Sequence, residues 1–262
     1  MTLAMTQLPS ILGPAMTADA AAIPVRASGL SKSIESRDIL RDIDLEIPHG
    51  RFIALLGANG AGKSTLLKIL STLNAPTAGT LDLFGISAAA SAVKIRRHIG
   101  LIGHQTMLYH DLSAMENLVF FAKLYGIADP AGRAMELLTQ LGLANRANDP
   151  VKAFSRGMAQ RVAIARALLH EPRLLLADEP FAGLDAPSTA LLERLLTELH
   201  GQGKTIILAN HDIAQSLRLA QTAIVLAKGR KVIDTHADQL DAGAVLASME
   251  NAAADAADGG VA

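Results

Sequence analysis

Gly57-Ala58-Asn59-Gly60-Ala61-Gly62-Lys63-Ser64 sits between a short apolar run and a stretch of leucines at helical spacing. The order of residues is glycine, four residues, glycine, lysine, serine. In this pattern the glycines let successive backbone N–H groups turn inward as a nest for phosphate, and the helix that follows adds its positive dipole end. Lys63 would reach the β- and γ-phosphates of a nucleoside triphosphate, and the Ser64 hydroxyl would ligate Mg²⁺. The flanks suit this reading. Arg51, Phe52, Ile53, Ala54, Leu55 and Leu56 have the length and apolarity of a strand, while Leu66, Leu67, Leu70 and Leu73 recur at helical spacing over 63–73. Two plainer readings are a glycine turn with an incidental lysine and a hairpin at Asn59-Gly60. The second lacks the alternating strand that should follow it.

Outward from the loop, strand-like runs recur at 43–47, 52–56, 99–103, 173–177 and 205–209, with helical segments between most of them. Such alternation predicts an α/β fold with a mostly parallel central sheet. Between Ser113 and His170 the strand signal vanishes. Ser113-Ala114-Met115-Glu116 is a capping box, Pro130 opens a second helix ending near Gly142, and a third helix covers about 157–170. An all-helical subdomain, about 106–172, is therefore expected inside the sheet domain. Another helix follows Asp185-Ala186-Pro187 and ends at Gly201. The run 173–177 ends in Asp178 and Glu179. At a strand tip facing a phosphate loop, alternation aims these acids differently, Asp178 toward the metal and Glu179 toward the attacking water. Their plain reading is a polar strand end.

The 262 residues are 50% hydrophobic, enough for a substantial core. A net charge of −1 with both signs interspersed leaves no electrostatic footprint for nucleic acid. No apolar run approaches the roughly 18 residues of a spanning helix, so work at a membrane would need a spanning partner. The absence of cysteine removes disulfides, thiolate metal sites and cysteine nucleophiles together. Residues 1–23 carry no Lys or Arg, and with Pro9 and Pro14 they read as a disordered leader, or as the product of a misplaced start codon, and not as a secretory signal. Residues 237–262 read as a helix followed by a disordered tail of alanine, aspartate and glycine.

The phosphate loop, Gln105, the run Phe154-Ser155-Arg156-Gly157-Met158-Ala159-Gln160-Arg161, Asp178-Glu179-Pro180, Gly183-Leu184-Asp185 and His211 stand in the order and spacing of the ATP-binding-cassette ATPases. The chain resembles that family over about residues 24–236. The resemblance implies a P-loop NTPase cassette with N-terminal antiparallel strands, ATP and Mg²⁺ as cofactors, and nucleotide contacts from Gly57, Ala58, Asn59, Gly60, Ala61, Gly62, Lys63, Ser64 and Thr65. It also implies Mg²⁺ ligation by Ser64, Gln105 and Asp178, and catalysis by Glu179, His211, Lys63 and Gln105. Ser155 and Gly157 would close over ATP held by a second copy of the chain, making a head-to-tail homodimer. Their run departs from the family's usual Leu-Ser-Gly-Gly-Gln, with Phe154, Arg156 and Met158 at the changed positions. Read alone, Ser155 is a helix N-cap. The aromatic ring that stacks on adenine in the family falls near Ile34, which has no π-face, so Ile34 either packs on the base or is ordinary edge-strand packing.

A single cassette without a spanning segment resembles the separately encoded ATPase subunit of a transporter. That implies integral membrane permease subunits as partners and a peripheral place on the cytoplasmic face of a bacterial inner membrane. Met107, Leu108 and Tyr109 are candidates to line a groove for the permease, or to pack inside the subdomain. Within transporters, residues 99–127 and 154–183 resemble the ATP-binding subunit of the haem exporter of cytochrome c maturation. Exporters of drugs, lipids and polysaccharides share the Ser-Arg-Gly-Met variant, and a soluble cassette ATPase that remodels a cytoplasmic complex is a further alternative. His98, His104 and His110 recur at six-residue spacing, which shares no helical face and argues against a haem or metal ligand set.

Overall fold

A computed structural model describes residues 24–248. The expected leader over 1–23 and the expected alanine-rich tail lie outside the described residues. In chain order the elements are β1 (Val25–Ile34), β2 (Arg37–Ile47), β3 (Phe52–Gly57), α1 (Lys63–Leu70), β4 (Ala78–Leu83), β5 (Ile86–Ser87), α2 (Ala92–Arg96) and β6 (Ile99–Ile102). Three helices follow, α3 (Ala114–Tyr125), α4 (Pro130–Gln140) and α5 (Arg156–Leu168). The chain then returns to the sheet through β7 (Leu174–Asp178), α6 (Ala186–Gly201), β8 (Thr205–Ala209), α7 (Ile213–Leu219), β9 (Thr222–Ala227) and β10 (Arg230–His236).

Six strands form the central sheet in the order β10-β9-β3-β8-β7-β6. All its pairs are parallel except β9 with β10. A second sheet of order β2-β1-β4-β5 is antiparallel. This is the α/β cassette architecture that the sequence predicts. The central strands read as continuous apolar runs because helices or the second sheet cover both faces. Alternation divides them. Leu175, Ala177, Ile206 and Leu208 join one core with the helices α3 to α6, Leu174, Leu176, Ile207 and Ala209 join a second with α1 and the antiparallel sheet, and Ala54, Leu56, Ala223 and Val225 join a smaller third.

The helical region has the expected capping chemistry. Ser113 and Glu116 form a reciprocal capping box at α3, Asp129 caps α4 ahead of Pro130, and Ser155 caps α5. Edge strand β6 is covered from α5 and the turn after it: Arg166 donates to the Leu101 carbonyl at 2.8 Å, and His170 Nε2 lies 2.9 Å from the Ile99 carbonyl.

Several boundaries differ from the sequence reading. Helix α1 stops at Leu70, with Ser71 as C-cap, so Leu73 lies beyond it and is half exposed. Helix α4 ends at Gln140, and β7 starts at Leu174 and includes Asp178. Strands β1 and β4 do not stand out as apolar runs because only alternate residues are buried and Gly29 and Gly79 interrupt them. Past β10 the chain is helical again over 242–248.

Parallel pairing sets the site. Leu55 lies opposite Ala209, Asp178 opposite Ala209, and Ile102 opposite Ala177. The segments after β3, β6, β7 and β8 therefore all leave the sheet at one edge, where parallel α/β sheets bind ligands.

Candidate functional site

The loop between β3 and α1 is fixed by close backbone approaches. At Gly57, φ is 152° and an added Cβ would come within 2.5 Å of the Leu226 carbonyl oxygen. At Gly62, φ is 107° and the same atom would meet Leu40 Cδ2 at 2.6 Å. Side chains fit neither place, which explains the glycines physically. Lys63 is buried, and its ammonium donates to the carbonyls of Gly57 at 2.6 Å and Ala58 at 3.1 Å. Burial pushes its pKa down, against the opposing pull of Glu179 and Asp178.

Ser64 and Asp178 meet at the strand end. The serine hydroxyl donates to Asp178 Oδ1 at 3.1 Å. Burial raises the Asp178 pKa, only partly offset by that hydrogen bond. One residue on, Glu179 has φ of 50°, and its N–H donates to the Ala209 carbonyl at 2.8 Å. This left-handed residue turns the chain sharply off β7, and Glu179 lines the cavity at the loop.

That cavity has a volume of about 650 Å³. Asn59, Gly60, Gly62, Lys63, Ser64 and Thr65 form its floor, Glu179 stands at one side, and Arg37, Asp38, Ile39, Arg41, Lys228 and Gly229 complete the wall. Ala58 and Ala61 line a smaller adjoining pocket with Leu226 and Ala227. The wall from β2 and the β9–β10 turn is absent from the sequence reading. Its signal was faint, since the turn contacts depend on Gly229 at φ 79° lying under Ile39, a pairing across 190 residues that no local pattern announces.

Other expected site residues lie elsewhere. Ile34 ends β1 opposite Arg37, is 45% exposed, and does not line the cavity. Ser155 is exposed at the start of α5, and neither it nor Gly157 lines the cavity. Gln105 follows β6 and is exposed. His211 follows β8, also exposed, and its N–H donates to Asn210 Oδ1 at 2.9 Å. Asn210 is buried and bonded to Gln215, which in turn bonds Glu193. This small network braces the His211 backbone and was not legible in the sequence. The α5 helix is tied to the acids by buried Gln160, which donates to the Pro180 carbonyl at 3.3 Å. Met107 and Tyr109 are exposed, Leu108 is buried, and Tyr109 meets Phe120 and Phe121 edge-on and stacked.

Hard oxygen donors suit a divalent magnesium ion, and the converging Ser64 hydroxyl and Asp178 carboxylate are such a set. Together with a glycine nest and a buried lysine, the site matches the chemistry of nucleoside triphosphate binding.

The family model described as ABC transporter matches residues 40–182. The chain belongs to the ATP-binding-cassette ATPases. It is 38% identical over 218 residues to the aliphatic sulfonates import ATP-binding protein SsuB of Pseudomonas putida, covering 82% of this chain and 77% of that one. It is 35% identical over 196 residues to the ABC transporter ATP-binding protein NatA of Bacillus subtilis (strain 168), covering 74% of this chain and 80% of that one. A solved dimer of the ATP-binding cassette MJ0796 bound to ADP and Pi superposes with a TM-score of 0.77 at 30% identity, over 81% of this chain and 98% of that one. As an enzyme, this cassette is an ATPase. The relatives named here give no support to the expectation of haem export. Among the described residues no helix is long and apolar enough to cross a membrane.

Proposed function

We propose that this cassette is the ATP-hydrolysing motor subunit of a membrane exporter and works as a head-to-tail homodimer. One observation carries the reading: Lys63, Ser64 and Glu179 line a single cavity, while Ser155 and Gly157 lie outside it. A lone subunit thus grips ATP from one side. In the dimer, Ser155 and Gly157 of one copy, at the start of α5, close over the γ-phosphate held by Lys63 of the other, with the α5 N-terminus facing the anion. Hydrolysis removes those contacts and lets the copies part. The solved MJ0796 cassette, described as dimeric, supports this assembly.

Within the site, Lys63 binds the β- and γ-phosphates and Glu179 takes a proton from the attacking water. His211 and Gln105, on the segments after β8 and β6, contact the γ-phosphate. Mg²⁺ would be held by Ser64, Gln105 and Asp178; when bound, it neutralises phosphate charge. Permease subunits supply the membrane path, placing the cassette on the cytoplasmic face of a bacterial inner membrane. The solved protein cbiO1 from Clostridium perfringens, described as part of the ABC transporter complex cbiONQ, supports such a partnership.

For the cargo, we infer haem export or release of a haem-loaded chaperone in cytochrome c maturation, from the resemblance carried by residues 99–127 and 154–183. A second reading, a transporter of another cargo, is favoured by the names of the sulfonate-importing relatives. Purification of the tagged full chain from membranes, with mass spectrometry of what accompanies it, tests both levels. An integral partner is expected. A chain found only in the soluble fraction would rule out the motor reading, and a strain lacking the gene that keeps normal levels of haem-bearing cytochrome c would rule out the haem reading.

A further inference from the structure

The wall that β2 presents to the cavity is charged, with Arg37, Asp38 and Arg41 lining it. The β1–β2 hairpin turns at Glu35 and Ser36, with φ of 46° and 65°, so Arg37 opens β2 directly opposite Ile34. The register then slips by one residue between Lys32 and Ser33, which re-aims the strand. Buried Leu40 anchors it, and Arg41 N–H donates to the Gly229 carbonyl at 2.8 Å. The Ile39 carbonyl lies 3.0 Å from where a Gly62 Cβ would stand. Arg37, Ile39 and Arg41 are thereby held at a fixed height over the phosphate loop.

A triphosphate seated on Lys63 and Ser64 with its γ-phosphate toward Glu179 leaves its base toward the wall formed by β2 and the β9–β10 turn, where the side chains are Arg37, Asp38, Ile39, Arg41 and Lys228. Among the described residues no aromatic ring lines the cavity. A guanidinium plane offers the same kind of surface, stacking on aromatic faces with an added cation–π attraction. The two arginines differ. Arg41 Nε lies 3.8 Å from Asp38 Oδ2, and Asp38 Oδ1 accepts from the Ser33 hydroxyl at 2.7 Å. Arg37 has no hydrogen bond or ion pair from its guanidinium among the described residues. Its plane is available to a base, with Ile39 as an apolar neighbour. Among the described residues Asp38 is the one carboxylate on this wall, and it accepts from the Ser33 hydroxyl and lies beside Arg41.

We propose that Arg37 is the base platform of this ATPase, and that a platform reading a ring face accepts guanine as well as adenine. The proposal rests on the ATP-site reading above. The test is equilibrium binding of non-hydrolysable ATP and GTP analogues and of inorganic tripolyphosphate to the full chain, as wild type, Arg37→Ala, Arg37→Lys and Arg37→Trp. Position 37 is exposed, so all four should fold alike. The wild type is expected to bind the two nucleotides within about threefold of each other. Arg37→Ala and Arg37→Lys should each lose about tenfold for both, in the range of one base-stacking contact, while Arg37→Trp keeps affinity and tripolyphosphate binding stays level throughout. Full retention by Arg37→Lys, or an equal loss of tripolyphosphate, would make Arg37 a phosphate contact and overturn the platform. A more than tenfold preference for ATP in the wild type would overturn purine tolerance. A wild type that binds neither nucleotide nor tripolyphosphate would instead overturn the nucleotide-site reading itself.

Discussion

The Ser64 hydroxyl donates to Asp178 Oδ1 at 3.1 Å, joining the phosphate loop to a strand tip 114 positions away. Burial raises the Asp178 pKa, so between its ordinary value and that raised value the folded chain holds a proton the unfolded chain has released. The stability this supplies is complete below the ordinary carboxylate pKa and lost as pH rises through the folded one; at neutral pH the charge is a net cost. Asp178→Asn keeps an acceptor for Ser64 and removes the charge. Without nucleotide it should melt roughly 2–4 °C higher than wild type at pH 7, with the gap closing under acid. Its ATPase rate should fall about a hundredfold or more. Equal melting temperatures at pH 7 would show that the carboxylate is not destabilising.

Glu179 occupies a left-handed backbone position at φ 50° and still reaches the cavity. Glu179→Gln keeps the size and the polar tip but cannot take a proton. Turnover should drop by roughly 10²–10⁴, the usual share of a positioned base. A slower-hydrolysing subunit should also stay paired, so size-exclusion chromatography with ATP is expected to show a longer-lived dimer. Wild-type turnover by this variant would remove Glu179 from the reaction.

The glycines of the loop are not equivalent. A Cβ at Gly60 would meet nothing within 4 Å, whereas one at Gly62 would strike Leu40 and the Ile39 carbonyl. Both have positive φ, so Gly60→Ala bears backbone strain of about 1–2 kcal/mol alone. Gly62→Ala adds the collision and should cost a further 1–3 kcal/mol while pushing β2 away from the loop. Urea unfolding of the two variants separates the terms. Equal losses would mean that Leu40 yields freely.

How much could be read beforehand follows from how local each signal is. The loop, the capping box at Ser113 and the apolar run ending in Asp178 are contiguous patterns, and each appears close to where it was expected. Whole faces are legible too, since Leu174 and Leu176 against Leu175 and Ala177 obey simple alternation. The wall at Arg37 and Arg41 was not legible. It arises from a turn with two left-handed residues, a register slip and a glycine contact with Ile39, all set by tertiary packing. Ile34 fell out of the cavity for the same reason, because the turn at Glu35 and Ser36 makes Arg37, across from it, the residue that lines the site.

His170 joins the helical region to the edge of the sheet and should set part of the acid sensitivity of the fold. Its ring stacks on Tyr125 with centroids 3.8 Å apart and planes 7° from parallel, and Nε2 bonds the Ile99 carbonyl. Nδ1 is buried, with no hydrogen-bond partner among the described residues. Burial lowers its pKa from 6.5 to about 4, with the nearby Arg166 adding to the effect. Below pH 6.5 the unfolded chain therefore binds a proton that the folded chain refuses. The stability due to neutral His170 is complete above that pH and drains away between pH 6.5 and about 4, by up to about 3 kcal/mol. His170→Gln cannot titrate there. It should start less stable at pH 7.5, having lost the stack on Tyr125, but decline less steeply as pH falls. Urea midpoints of both proteins taken from pH 7.5 to 4.5 give the two slopes. Parallel slopes would assign the acid loss to other groups.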